Sequence, residues 1–178
     1  IRFLKSWRDV DIIFTAGQHP ELNASRTEVI PNGVPVGVDP PMRLPWVPAG
    51  PVRLLAVGRL AEQKDPLGLL RSIARANLPG ASLEFVGAGP LEDEARILAA
   101  ELGLADRVQF CGVCDDVRER MRAADVLVMH SKYEGMPMAL LEAGAEAMPT
   151  VVTPIGAVPD MLGADRGWLA RPEQFAET

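Results

Sequence analysis

Two sets of charged residues have the types and spacing to do chemistry. Glu134 and Glu142 lie eight positions apart, with seven residues between them, in the stretch from His130 to Ala147, His-Ser-Lys-Tyr-Glu-Gly-Met-Pro-Met-Ala-Leu-Leu-Glu-Ala-Gly-Ala-Glu-Ala. Carboxylates repel phosphate, but they accept hydrogen bonds strongly and so suit the hydroxyls of a sugar or a ribose. The alternative is a pair of solvated surface acids, because most Glu side chains lie in water. Arg59 and Lys64, in Gly58-Arg-Leu-Ala-Glu-Gln-Lys64, form the complementary set. A planar fork of donors and a point charge can together neutralise a diphosphate, although either alone would read as an ordinary surface cation.

These residues need elements to hold them. The apolar run Asp125–Met129 predicts a buried strand, and Pro137, which has no N–H to lose, predicts the first turn of a helix after it. In a strand, polar loop, helix unit, the unpaired N–H groups at the helix start point into the space beyond the strand and favour a phosphate there. The loop with Arg59 and Lys64 follows a strand predicted over Val52–Val57. It precedes a helix with Asp65 as N-cap and Pro66 at the first position, running to about Ala76. Further strands are expected at Ser82–Val86, Arg107–Cys111, Thr150–Thr153 and Trp168–Ala170. Between the first two of these lies a helix with early acids Glu92, Asp93 and Glu94 that ends at Gly103; Asp115 or Asp116 caps a short one to Ala123. Strands spaced by helices pair in parallel, so the expected fold is a doubly wound, Rossmann-like α/β domain with its ligand crevice at the carboxyl ends of the strands.

Upstream, Ile1–Val10 has Phe3, Leu4 and Trp7 on one side of a possible short helix. A strand follows at Asp11–Phe14, then a loop or ragged helix over Gly17–Arg26 and a strand at Thr27–Ile30. Residues 31–51 are dense in Pro and Gly and read as a linker between two units, residues 1–30 and 52–178. The chain starts without Met and stops where a helix is just beginning, at Gln174–Thr178, so it is expected to be a piece of a longer protein.

Several functions are disfavoured. A net charge of -6 with no Lys/Arg run gives no footprint for nucleic acid or an anionic membrane. No apolar run approaches the roughly 20 residues that a bilayer requires, and no signal peptide opens the chain, so a cytoplasmic location is expected. Gly87-Ala-Gly-Pro-Leu-Glu92 begins like a dinucleotide fingerprint but places Glu92 at the third glycine, where it would repel a pyrophosphate. Gly87 is therefore expected to bring backbone close to a ligand without binding a dinucleotide. Cys111-Gly-Val-Cys114 lacks the further ligands of a zinc site, with only His19 and His130 available, and straddles a strand end; two reduced thiols and no metal are expected. Trp7, Trp46 and Trp168 read as packing residues, and His130 as either core-edge packing or a ligand contact.

Taken in order, Asn32-Gly33, Gly58-Arg59-Leu60 with Lys64, Phe85-Val-Gly-Ala-Gly-Pro90, Val108-Gln-Phe-Cys-Gly112, the Glu134-x7-Glu142 stretch and Gly156-Ala-Val-Pro-Asp160 resemble the retaining glycosyltransferases of the GT-B fold, the family-four type. The resemblance covers nearly the whole chain. It implies that the regular part is the carboxy-terminal domain, which binds a nucleotide-sugar donor. Ile1–Val29 would be the tail of the acceptor domain, and a helix beyond Thr178 would cross back. Carried over, it implies that Arg59 and Lys64 hold the donor diphosphate, Glu134 contacts the sugar and Glu142 accepts from the ribose. Gly58 lies beside that diphosphate site, backbone at Gly135, Met136, Pro137 and Met138 touches phosphate, and Gly112 and Val113 flank the base. The implied donor is a UDP- or GDP-sugar, with no prosthetic group or metal, and the acceptor is a glycan, lipid or small molecule reached through the other domain. Retention is attributed in that family to attack on the face the nucleotide leaves, while the protein neutralises the departing diphosphate. The chain departs from the family at Ala147, where Gly is usual, at His130-Ser131, where Pro-Ser is usual, and at Ala157 and Asp160. A sugar-nucleotide epimerase half and a non-catalytic nucleotide-binding module remain as alternatives.

Overall fold

The computed structural model describes residues 12–14, 27–29, 32–36, 50–163 and 167–174. The predicted helix at Ile1–Val10, the loop at Gly17–Arg26, most of the linker, Trp7, Trp46 and the last residues to Thr178 lie outside the described residues. Strands β1 (Ile12–Phe14) and β2 (Thr27–Val29) pair in parallel as a two-stranded sheet.

The main sheet is built from β3 (Arg53–Val57), β4 (Ser82–Val86), β5 (Val108–Phe110), β6 (Val126–Met129), β7 (Thr150–Val152) and β8 (Trp168–Leu169). Helices α1 (Pro66–Ala76), α2 (Glu92–Glu101), α3 (Val117–Ala123), α4 (Met138–Ala145) and α5 (Val158–Leu162) connect them in sequence. All pairings are parallel and the order is β5-β4-β3-β6-β7-β8, so the chain reverses direction across the sheet between β3 and β6. That is the Rossmann strand order, and the reversal opens a crevice at the carboxyl ends of β3 and β6.

Alternation along each strand divides the core between two faces. Leu54, Ala56, Leu83, Phe85, Val126 and Val128 point to one side, where Leu69, Leu70 and Ile73 of α1 and Ala95 and Ala99 of α2 cover them. Leu55, Leu127, Met129 and Val152 point to the other, against Met121 of α3, Ala139, Leu140 and Ala143 of α4 and Val158 and Leu162 of α5. Burial on both faces explains why β6 is apolar at every position.

Local differences from the sequence-based expectations have physical reasons. Pro137 sits one residue before α4, as its N-cap, because a cap takes the extended backbone that Pro also adopts. Asp116 occupies the N-cap position of α3, but its carboxylate accepts from Arg120 Nε at 2.8 Å instead of from a backbone N–H. Trp168 is 53% exposed: it lies on the two-residue strand β8, which among the described residues has only β7 as a neighbour.

Candidate functional site

The carboxyl ends of the central strands are joined by a web of backbone bonds. Gly58 N–H donates to Val86 O at 2.9 Å and Leu91 N–H to Leu60 O at 2.9 Å, which fixes the loop after β3 against the loop after β4. Gly87 N–H donates to Gly112 O at 2.7 Å, tying in the loop after β5. A Cβ at Gly87, where φ is 130°, would lie 2.1 Å from Gly58 O. This glycine is thus required by a loop-to-loop approach within the protein. Across the crevice Lys132 N–H donates to Gln63 O at 2.8 Å.

Lys64 and Glu134, on opposite sides of the reversal, meet there. Lys64 Nζ lies 2.6 Å from Glu134 Oε1, and the Glu134 side chain is 6% exposed. Gln63 Nε2 donates to Tyr133 O at 3.2 Å and reaches Glu134 Oε2 at 3.4 Å. Glu134 is not a solvated surface acid. Its backbone is held as tightly: a Cβ on Gly156, at φ 55°, would stand 1.8 Å from Glu134 O, and Ala157 N–H donates to Gly135 O at 3.1 Å.

Arg59 lines the same recess as Gly58, Lys64, His130 and Ser131. Its guanidinium is exposed and makes no ion pair or side-chain hydrogen bond with the described residues. Ser131 Oγ is buried without a hydrogen-bond partner among them. Glu142, half-buried on α4, lines a second recess with Val34, Pro35, Asp115, Val117 and Arg118; the described contacts do not join it to the Lys64–Glu134 pair. Gly112 and Val113 form the rim after β5, where Val113 is 83% exposed. The first turn of α4, from Met138, has no side-chain cap, and Asn32 Nδ2 donates to Met136 O at 3.4 Å just before it.

His130 is buried and bonded within the protein, its Nδ1 lying 2.9 Å from Asp65 Oδ2. Gln63, Asp65 and Asn32 are site neighbours that sequence reasoning did not assign to the crevice. Gln63 had only its place beside Lys64 as a signal, and the Asp65–His130 contact joins residues 65 positions apart.

The thiols do not pair. Cys111 Sγ donates to Glu84 Oε1 at 3.0 Å, Glu84 forms an ion pair with Arg120, and both cysteines are free. Burial, with the Glu84 carboxylate beside it, pushes the Cys111 thiol up to about 11. On the other face Glu146, 2% exposed, accepts from Arg122 Nε at 2.7 Å and pairs with Arg118; the Arg122 bond holds its carboxyl below the usual range. Among the described residues, no group of three or more His, Cys, Asp or Glu side chains could hold a metal ion, and no helix is long and apolar enough to cross a membrane.

A parallel sheet of this order, with opposed charges at its reversal point, defines a Rossmann-like α/β domain of the type found in GT-B proteins. The chain belongs to the group 1 glycosyltransferases, whose family profile matches residues 47–178, and corresponds to their carboxy-terminal domain. The lipopolysaccharide core biosynthesis glycosyltransferase LpsE of Rhizobium meliloti (strain 1021) is 38% identical over 106 residues, 60% of this chain and 31% of that protein. Among solved structures, the apo form of the lipopolysaccharide outer core galactosyltransferase WaaB has 25% identity and a TM-score of 0.70, covering 85% of this chain and 44% of that one. HepE of Anabaena, in complex with UDP and glucose, shares the fold at a TM-score of 0.74 and 22% identity, over 93% of this chain and 50% of that one. The chain thus spans half or less of the length of each of these proteins.

Proposed function

We propose that this chain is the donor-binding domain of a retaining, metal-independent glycosyltransferase that takes a UDP- or GDP-sugar and passes the sugar to a glycan, lipid or small-molecule acceptor held by a separate domain. The observation that carries the reading is the meeting of Lys64 with Glu134 at the sheet reversal, 2.6 Å apart across a crevice of a group 1 glycosyltransferase domain. Arg59 and Lys64 grip the diphosphate with the start of α4 at Gly135–Met138, Glu134 accepts from the sugar, Glu142 accepts from the ribose, and Gly112 and Val113 flank the base. Gly58 and Gly87 shape the loops that carry these groups. The UDP complex of HepE supports a nucleoside diphosphate as ligand. The cations stabilise negative charge developing on the leaving diphosphate, about 3 kcal/mol for a well-placed donor, which leaves the departing face open for the acceptor. In this reading residues 1–30 belong to the acceptor domain, 31–51 form the linker, 52–178 bind the donor, and the enzyme works in the cytoplasm.

Calorimetric titration with UDP, GDP and ADP and their common sugar conjugates, in EDTA, tests the proposal. Binding of UDP or GDP unaffected by the chelator, with little or no transfer by the chain alone, is the expected result. Absence of nucleoside diphosphate binding would overturn the donor reading. Affinity that returns only with manganese would overturn metal independence, and robust transfer to a glycan acceptor would overturn the division of labour between domains.

A further inference from the structure

We infer that His130 is a positioning residue for donor binding, acting through Asp65 on Lys64; this rests on the proposed role of Lys64. Asp65 joins the Ala61–Lys64 turn to α1 in a left-handed conformation, φ 46° and ψ 56°. A non-glycine residue pays about 1–2 kcal/mol to stand there and keeps the conformation only where its surroundings enforce it. Two bonds do so. Gly68 N–H donates to Asp65 Oδ1 at 3.2 Å, capping α1, and His130 Nδ1 lies 2.9 Å from Oδ2. A carboxylate only accepts, so Nδ1 carries the proton. Nε2 lies 3.4 Å from Ser72 Oγ, and Arg75 Nη2 donates to that same oxygen at 3.2 Å.

The packing is built around this contact. His130 is 5% exposed and Ser72 1%. A Cβ on Gly68 would stand 2.1 Å from Asp65 Oδ2 and 2.7 Å from His130 Cε1, so the helix carries a glycine where the ring and the carboxylate meet. His130 follows β6 and begins the segment that ends in Glu134, while Asp65 follows Lys64 directly. The bond therefore acts with Lys132 N–H to Gln63 O at 2.8 Å to set the register between the two loops whose tips bring Lys64 Nζ to Glu134. Without it, Asp65 keeps its cap and its backbone bonds but loses the partner of Oδ2, and the turn carrying Lys64 can relax.

The test measures UDP and GDP dissociation constants for the parent, Lys64→Ala, His130→Ala, His130→Asn, Asp65→Ser and the Lys64→Ala/His130→Ala double variant, with ligand-free melting alongside. His130→Ala should weaken binding of the nucleotide the parent prefers by about tenfold. Asp65→Ser, which keeps a capping oxygen but cannot reach the ring, should do the same. His130→Asn, whose Nδ2 falls where Nδ1 was, should restore most of the affinity, and the double variant should bind no more weakly than Lys64→Ala. Unchanged binding in Lys64→Ala would sink the underlying site reading. Weak binding in Lys64→Ala with parent-like binding in His130→Ala, or additive losses in the double variant, would overturn the inference alone. An unfolded His130→Ala leaves the decision to the Asn and Ser variants.

Discussion

Lys64 Nζ and Glu134 Oε1, 70 residues apart in sequence, lie 2.6 Å from each other where the parallel sheet reverses direction. Each of these two groups is thus already occupied by the other. A diphosphate competes with Glu134 for Lys64, so removing the carboxylate frees the cation. Glu134→Ala should hold or improve affinity for the plain nucleoside diphosphate while lowering the preference for nucleotide-sugar over nucleotide. Titration of both ligands measures this, and a variant that loses nucleotide affinity outright would contradict the assignment.

Ala147 stands where the resembling family usually has glycine, and the structure gives the reason. It has φ 50° in a Schellman cap: Met148 N–H donates to Ala143 O at 2.8 Å and Ala147 N–H to Gly144 O at 3.1 Å. The left-handed strain on Ala is about 1–2 kcal/mol, against about 0.4–1 kcal/mol of added unfolded-state entropy for Gly. Strain wins. Ala147→Gly should raise stability by roughly 0.5–1 kcal/mol in denaturant unfolding; a lower midpoint would show the cap is not strained.

The fold was legible because its signals are local. Asp65-Pro66 marked the start of α1, the apolar run to Met129 marked β6, and both were found there. The loops with Lys64 and Glu134 could be assigned to one crevice since the strand order of a doubly wound sheet brings such loops together. Their direct pairing could not be read, because nothing local fixes side-chain contact across 70 residues. His130 remained open for the same reason: its partner is set by how two loops stack. Trp168 misled because aromatic character signals burial only when a neighbouring element covers it, and among the described residues β8 has a sheet partner on one side alone.

Glu146 gives the acid limb of stability a specific origin. The Arg122 bond, with Arg118 close by, holds its carboxyl below the ordinary value of 4.5. The native state therefore binds fewer protons than the unfolded one near that pH, and the stabilisation present above it is lost as pH falls through and below it. Its partners are half exposed, at 47% and 54%, which reduces the effect relative to a fully buried pair. Glu146→Gln should lower stability at pH 7 and flatten the decline as pH falls through and below that value. A slope equal to the parent's would place the origin elsewhere.

Cys111 should be a slow thiol. With its titration raised to about 11 by burial and by Glu84, little thiolate exists at pH 7.5, and alkylation should run on the order of tenfold to a hundredfold slower than for a free cysteine. Glu84→Gln removes the negative charge that disfavours the thiolate, while Arg120 stays in place on Asp116, so Cys111 should react faster in that variant. Mass-spectrometric rates at the two cysteines decide this; equal rates in parent and variant would remove Glu84 as a cause.

Glu142 separates the ribose assignment from a structural carboxylate. It is half-buried in a recess that also holds Asp115 and Arg118, and no hydrogen bond to its carboxylate is made by the described residues. A carboxylate that is partly desolvated yet unbonded gains from two ribose hydroxyls, and hydrogen bonds to a charged group contribute about 1.5–3 kcal/mol. Glu142→Ala should therefore weaken the preferred nucleoside diphosphate by on the order of tenfold to a hundredfold. The sharper comparison uses the 2′-deoxy nucleotide. It should bind the parent less well than the ribonucleotide does, and the variant should bind both alike, because the group that tells them apart is gone. If the variant still discriminates between them, the ribose is read by another residue and Glu142 serves the Arg118 side of α4 instead.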